Sequence, residues 1–153
     1  MLDIYIDADG CPVKDEVFRV AARYKLKVFV VANMPIRVPP TDSIQGIVVK
    51  GGMNVADDWI AEHIDEGDIC ITTDIPLADR CLAKKAAVLK PNGHPLTEKS
   101  IGNALANREL LQGLRQMGEI TGGPAPFKPA DRSRFLSGLD QIIQSLIRAR
   151  DRK

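Results

Sequence analysis

The sequence predicts an α/β domain in three layers, a central parallel sheet of about five strands between helices, followed by a C-terminal helical part. Three observations predict it. Over residues 1–91 short apolar runs alternate with amphipathic stretches, the rhythm of strand and crossover helix repeated around a parallel sheet. The first run, Ile4-Tyr5-Ile6, is apolar on consecutive residues, as expected of a strand covered on both faces. Residues 97–153 carry no strand signal but end in the most regular helical stripe of the chain.

Each element follows from its residues. Leu2 to Ala8 is the first strand. Pro12 suits the first turn of a helix, and Val13, Val17, Val20, Ala21 and Tyr24 recur along one face of it. Val28 to Ala32, nearly all β-branched or aromatic, is the second strand and ends in the proline-punctuated loop Met34 to Pro40. Ile44 to Val49 is the third strand, closed by Gly51-Gly52. Asn54 is positioned to cap a helix whose apolar face is Val55, Trp59, Ile60 and Ile64. Asp68 to Thr72 is the fourth strand, Leu77, Cys81 and Leu82 line a short helix, and Ala87 to Leu89 is a fifth, short strand before the turn Pro91-Asn92-Gly93. Ser100 is expected to cap a helix to about Met117 with Gly118 as its stop, and Thr121 to Pro129 is a loop. The last helix, from about Ala130, carries Phe135, Leu136, Leu139, Ile142, Ile143, Leu146 and Ile147. That stripe covers the domain's own core, or else forms the seam of a homodimer.

The chain has 153 residues, 44% of them hydrophobic, and 21 Lys plus Arg against 20 Asp plus Glu. This describes one globular domain large enough to hold a core without disulfides or structural zinc. Cys11, Cys70 and Cys81 form no C-x-x-C pair, which points to a reducing, cytoplasmic compartment. No signal-peptide pattern and no apolar run near the ~20 residues of a membrane span argue against secretion and membrane insertion. A net charge of +1 gives no global attraction for nucleic acid, so any polyanion must be recognised locally.

The positions of the acids are informative. Asp7 and Asp9 leave the first strand, Asp74 leaves the fourth, and Asp57 and Asp58 open the helix after the third. In an open parallel sheet these points share the carboxyl edge, where ligands bind. Carboxylates ~4 Å apart repel by on the order of 4 kcal/mol at an effective dielectric of 20, so protons or hard divalent cations must neutralise them. With no histidine or cysteine cluster beside them, magnesium or manganese is favoured over zinc. Aspartates also cap helices, and Asp9, Asp57, Asp58 and Asp74 all stand where a cap or a helix dipole would accept them. Asp7 resists that explanation, because it ends an apolar strand at a buried position. Asp79, one turn into its helix, is a weaker candidate, and Glu16 and Glu62 read as exposed helix residues. Cys11 reads as a lining thiol without an activating histidine, and Cys70 and Cys81 as core. Arg37, Lys50, Lys90, Arg108, Lys128, Arg132 and Arg134 read singly as surface charges. They gain interest as a rim only if the acids act on a polyanion.

The runs D-A-D-G-C-P-V (Asp7 to Val13), V-A-N (Val31 to Asn33), R-V-P-P (Arg37 to Pro40), A-D-D-W-I (Ala56 to Ile60), G-D-I-C-I-T-T-D-I-P-L-A (Gly67 to Ala78), T-G-G-P (Thr121 to Pro124) and D-R-S-R-F (Asp131 to Phe135) occur in order along nearly the whole chain. In these motifs the sequence resembles the bacterial YaiI/YqxD family, grouped with the PIN-like nucleases. The resemblance implies a PIN-like sheet with acids at its carboxyl edge that bind Mg2+ or Mn2+ for phosphodiester hydrolysis. Carried over, Asp7, Asp57 and Asp74 match the metal-holding catalytic acids, with Asp9 and Asp58 as supporting ligands. Two positions depart from the family's pattern: Gly10 stands where alanine is common, and Asn54 where aspartate is common, which removes one candidate ligand.

Three functions follow as expectations. The first is a metal-dependent phosphodiesterase, a ribonuclease, in which Thr72 and Thr73 orient water or phosphate while Asn33, Arg37, Lys128 and Arg132 hold the nucleic acid. The second is an RNA- or protein-binding module with structural acids. The third is a haloacid-dehalogenase-type phosphatase with Asp7 as nucleophile and Asp9 as acid/base, which lacks an identifiable lysine and a cap insertion.

Overall fold

A computed structural model describes residues 2–8, 11–52, 54–102 and 128–151. The chain runs β1 (Asp3–Asp7), α1 (Lys14–Tyr24), β2 (Lys27–Ala32), β3 (Ile44–Val48), α2 (Val55–His63), β4 (Ile69–Ile71), α3 (Ile75–Ala83), β5 (Ala87–Leu89), β6 (Pro95–Leu96) and α4 (Pro129–Asp151). The six strands form one sheet in the order β3-β2-β1-β4-β5-β6. All neighbours pair in parallel except β5 and β6. The α/β class and the five parallel strands match the sequence reading. The addition is β6, whose two residues fold back on β5 after the Pro91–Gly93 turn.

Side chains alternate between two cores, one on each face of the sheet. Ile4, Ile6, Val28, Val30, Ile69 and Ile71 meet Val13, Val17 and Val20 of α1 and Phe135, Leu139 and Ile143 of α4. Tyr5, Val31, Cys70 and Val88 meet Ile60 of α2 and Leu77, Ala78 and Cys81 of α3. The C-terminal stripe therefore packs on the domain's own core, and its three central side chains are fully buried. On the α2 side Tyr5, Phe29 and Trp59 form an aromatic cluster, and the Trp59 ring stacks on His63 at 3.8 Å.

Several boundaries move from expectation. Pro12 lies in the turn before α1, whose N-cap is Val13 and makes no side-chain cap bond. Asp68 stands just before β4, with its carboxylate accepting from the Asp3 and Asp65 backbone N–H groups at 3.0 and 2.9 Å. Asn54 holds the N-cap of α2 but makes no side-chain cap bond. It sits there in the left-handed region at φ 74°, a conformation asparagine tolerates better than most residues. At the helix expected from Ser100, Thr97 is the cap instead. Its Oγ1 accepts from Ser100 N–H at 3.2 Å while Ser100 Oγ accepts from Thr97 N–H at 2.7 Å. Helical backbone starts at residue 98, and the remainder of that expected helix, with Arg108, Gly118 and the Thr121–Pro124 motif, lies outside the described residues.

Candidate functional site

β1 and β4 are adjacent and parallel, with Ile6 opposite Ile71, so the residues that follow them emerge side by side. Thr72 continues β4 and is almost fully buried. Its hydroxyl donates to Asp7 Oδ2 at 2.9 Å and accepts from the Asp74 backbone N–H at 2.9 Å. Asp74 is the N-cap of α3, and its Oδ1 accepts from Leu77 N–H at 2.8 Å, with a proline in the first turn behind it. Asp7 and Thr72, 65 residues apart in sequence, are joined by that hydroxyl.

Asp57 lies half-buried in the first turn of α2, on the far side of Cys70 from α1. The Cys70 thiol is pushed well up, first by its hydrogen bond with Cys81 and then by burial. The negative charges of Cys81, Asp7 and Asp57 add to the shift, so both acids act on one buried position of β4. Asp7, Thr72 and Asp74 are thus brought together, while Asp57 shares with Asp7 only its effect on Cys70.

The other predicted residues divide. Asp58 is exposed and committed to Arg80 of α3 at 2.7 Å. Asp79 and Thr73 are exposed, as are Asn33 and Arg37 in the loop that leaves β2 at the same edge. Lys128 is exposed, and its backbone N–H is capped by Asp131 Oδ2. Arg132 extends from α4 to an ion pair with Glu16. Asp9 lies outside the described residues, with Gly10.

Glu16 corrects the expectation of an exposed helix residue. It stands in the first turn of α1, its side chain is 8% exposed, and its Oε2 has no hydrogen-bond partner among the described residues. The periodicity carried the signal: Val13, Glu16, Val17 and Val20 follow one helical face, so the glutamate falls inside the apolar stripe. Cys11 beside it is buried, and that burial pushes its thiol up. The charges of Asp7 and Glu16 push the same way, which disfavours a nucleophilic thiolate.

The donors at this edge are hard carboxylate and hydroxyl oxygens, with neither histidine of the chain among them. Among the described residues no three His, Cys, Asp or Glu side chains stand close enough to hold a metal by themselves. Oxygen donors of this kind are those that a hard cation such as magnesium or manganese takes.

Fold and edge together define a three-layer α/β protein with converging acids at the carboxyl end of a parallel sheet. The chain belongs to the uncharacterised bacterial YaiI/YqxD family, whose profile matches residues 5–145. It is similar to a UPF0178 protein of Rhodospirillum centenum, at 56% identity over 98% of this chain and 100% of the relative. A UPF0178 protein of Paramagnetospirillum magneticum is 61% identical over 94% of this chain and 95% of the relative. No solved structure matches. No helix among the described residues is long and apolar enough to cross a membrane.

Proposed function

We propose that this protein is a PIN-like, divalent-metal-dependent phosphodiesterase acting on RNA, with Asp7, Asp57 and Asp74 as the acids that hold magnesium or manganese. The observation that carries this reading is the Asp7–Thr72–Asp74 chain at the carboxyl edge of β1 and β4. A cation bound there supplies an activated water and charge neutralisation at the phosphoryl group. In hydrolysis the water oxygen bonds to phosphorus, the bond to the ribose oxygen breaks, and that oxygen departs with a proton.

The chain's own part is placement. The Thr72 hydroxyl donates to Asp7 and fixes that carboxylate, while the cap on α3 fixes Asp74. Asn33 and Arg37 in the loop after β2, and Lys128 and Arg132 at the start of α4, would supply polar and cationic groups for a phosphate backbone, Arg132 while also paired with Glu16. Asp58, held by Arg80, Asp79 and Thr73 stand outside this inner set.

Calorimetric titration of Mn2+ and Mg2+, paired with cleavage of labelled RNA, tests the reading. Asp7→Asn is expected to weaken cation binding about tenfold or more and to reduce cleavage by about a hundredfold, with the circular dichroism spectrum unchanged. Full metal-dependent cleavage in both Asp7→Asn and Asp74→Asn would falsify it. The engagement of Asp74 Oδ1 in capping favours one second reading, an RNA-binding module whose acids are structural. That reading predicts RNA binding that survives both substitutions, without turnover by the wild type.

A further inference from the structure

The cross-strand row at the carboxyl edge continues past Asp7 and Thr72. Ile6 pairs with Ile71 and Ile71 with Leu89, so the residues that come next, Asp7, Thr72 and Lys90, fall in one line across β1, β4 and β5. The pairing holds up to that line. Thr72 N–H donates to Leu89 C=O at 3.3 Å, and on the other side of β5 Lys90 N–H donates to His94 C=O at 3.0 Å. Backbone still engaged with its neighbours stays extended, and its side chains alternate between the faces. Val88 belongs to the core under α2 and α3 and Leu89 to the opposite core, so Lys90 returns to the α2 and α3 face. By the same alternation, after Tyr5 and Ile6 and after Cys70 and Ile71, Asp7 and Thr72 stand on that face too.

Lys90 is half-buried, and among the described residues its ammonium makes no hydrogen bond and no ion pair. Arg132 and Arg134, at the start of α4, are each engaged by a carboxylate. Neighbouring strands lie about 4.8 Å apart, which sets Lys90 roughly 10 Å from Asp7 along the backbone row, with Thr72 between them. The edge thus carries acids at one end of the row and a cation at the other.

We propose that Lys90 grips the scissile phosphate of the RNA, its ammonium taking a non-bridging oxygen over Thr72 on the side away from Asp7. The proposal rests on the phosphodiesterase reading of this edge and adds to it the residue that meets the reacting group. An ammonium carries three donors and a full charge, and binds phosphate as a point charge. Standing two strands from Asp7, it can neutralise charge that grows on the phosphoryl oxygens without occupying the carboxylates.

Trinitrobenzenesulfonate labelling of the full chain in Mn2+, read at Lys90 by peptide mapping, tests this when run with and without excess single-stranded RNA and beside cleavage of the same RNA. RNA at about ten times its dissociation constant is expected to slow labelling of Lys90 about tenfold. Lys85, which precedes β5 at the opposite end of the sheet, should label at an unchanged rate. Lys90→Gln is expected to lower kcat about a hundredfold with Mn2+ affinity undiminished, because it removes a cation and no ligand. Lys90→Arg, which keeps the charge, should recover most of that rate. Cleavage by Lys90→Gln at the wild-type rate would overturn the proposal and leave the phosphodiesterase reading standing. Protection of Lys90 by RNA that the wild type binds without cleaving would support the phosphate contact and overturn that reading instead. Labelling of Lys90 that RNA leaves unchanged would overturn the contact. So would weaker Mn2+ binding by Lys90→Gln in step with its lost cleavage, since the substitution would then act through the acids. If Lys90→Gln fails to fold, labelling of the wild type still decides.

Discussion

Glu16 and Arg132 meet across 116 residues of sequence, and the environment of the pair is lopsided: the carboxylate is buried and the guanidinium is half exposed. A pair of this kind contributes little net stability, yet losing only the exposed partner strands a charge in the core. Arg132→Ala is therefore expected to lower unfolding free energy by about 1–2 kcal/mol, discounted for the solvent around the arginine. Adding Glu16→Leu, which extends the apolar face of α1, should recover most of that loss, and urea denaturation of the two variants would show it. A double variant less stable than Arg132→Ala would mean that Glu16 is held by more than the ion pair. Glu16 also shows where local reading of the sequence stops. Its charge suggested the surface, while its phase on the helix placed it inside, and the partner that makes burial tolerable lies on a helix no local pattern connects to α1.

At the level of elements, the capping role of Asp74 and the metal-holding role proposed for it can be separated by substitution. As the cap of α3 it satisfies Leu77 N–H, and asparagine can do the same while alanine cannot. Asp74→Asn should leave thermal stability within a few tenths of a kcal/mol while removing the charge. Asp74→Ala should cost about 1 kcal/mol in addition, a difference that paired thermal melts would resolve. Elements were legible in the sequence wherever periodicity was strong. The five parallel strands, α1, α2, α3 and the last helix were all expected within a few residues of where they lie. β6 was not, because two residues carry no period and its pairing is supplied by the turn at Gly93, which adopts φ 90° against the backbone of Arg134. That Asp7 and Asp74 share an edge followed from a parallel sheet; that β1 and β4 are neighbours, so that Thr72 joins the two acids, did not. The sequence could not reveal that Asp58 turns aside to Arg80, since that depends on how α2 and α3 lie against each other.

For the molecule as a whole, alkaline pH should act through Tyr5. Its hydroxyl donates to the His63 carbonyl at 3.1 Å, and its pKa is raised to about 12 by burial, with Asp68, Asp3 and Asp65 adding. A phenol with a raised pKa contributes stability that is fully present below pH 10, its unfolded value, and is lost as pH rises through about 12. Tyr5→Phe is expected to be about 1 kcal/mol less stable than wild type at neutral pH, for the lost hydrogen bond. That difference should shrink across the alkaline window, and urea unfolding at stepped pH would follow it. The two cores also differ in when they can close. The α2 and α3 face is complete, as far as the described residues show it, by Ile101, whereas the opposite face needs Phe135, Leu139 and Ile143 from α4. While the chain is being synthesised, that face of the sheet has, among the described elements, only α1 to cover it until the last helix is made. At roughly 5 to 20 residues per second, the 23 residues of α4 alone occupy about 1 to 5 s. In every round of translation the nascent protein passes through an interval in which an apolar sheet is exposed, and a ribosome stalled in that interval would hold a sticky, half-covered chain.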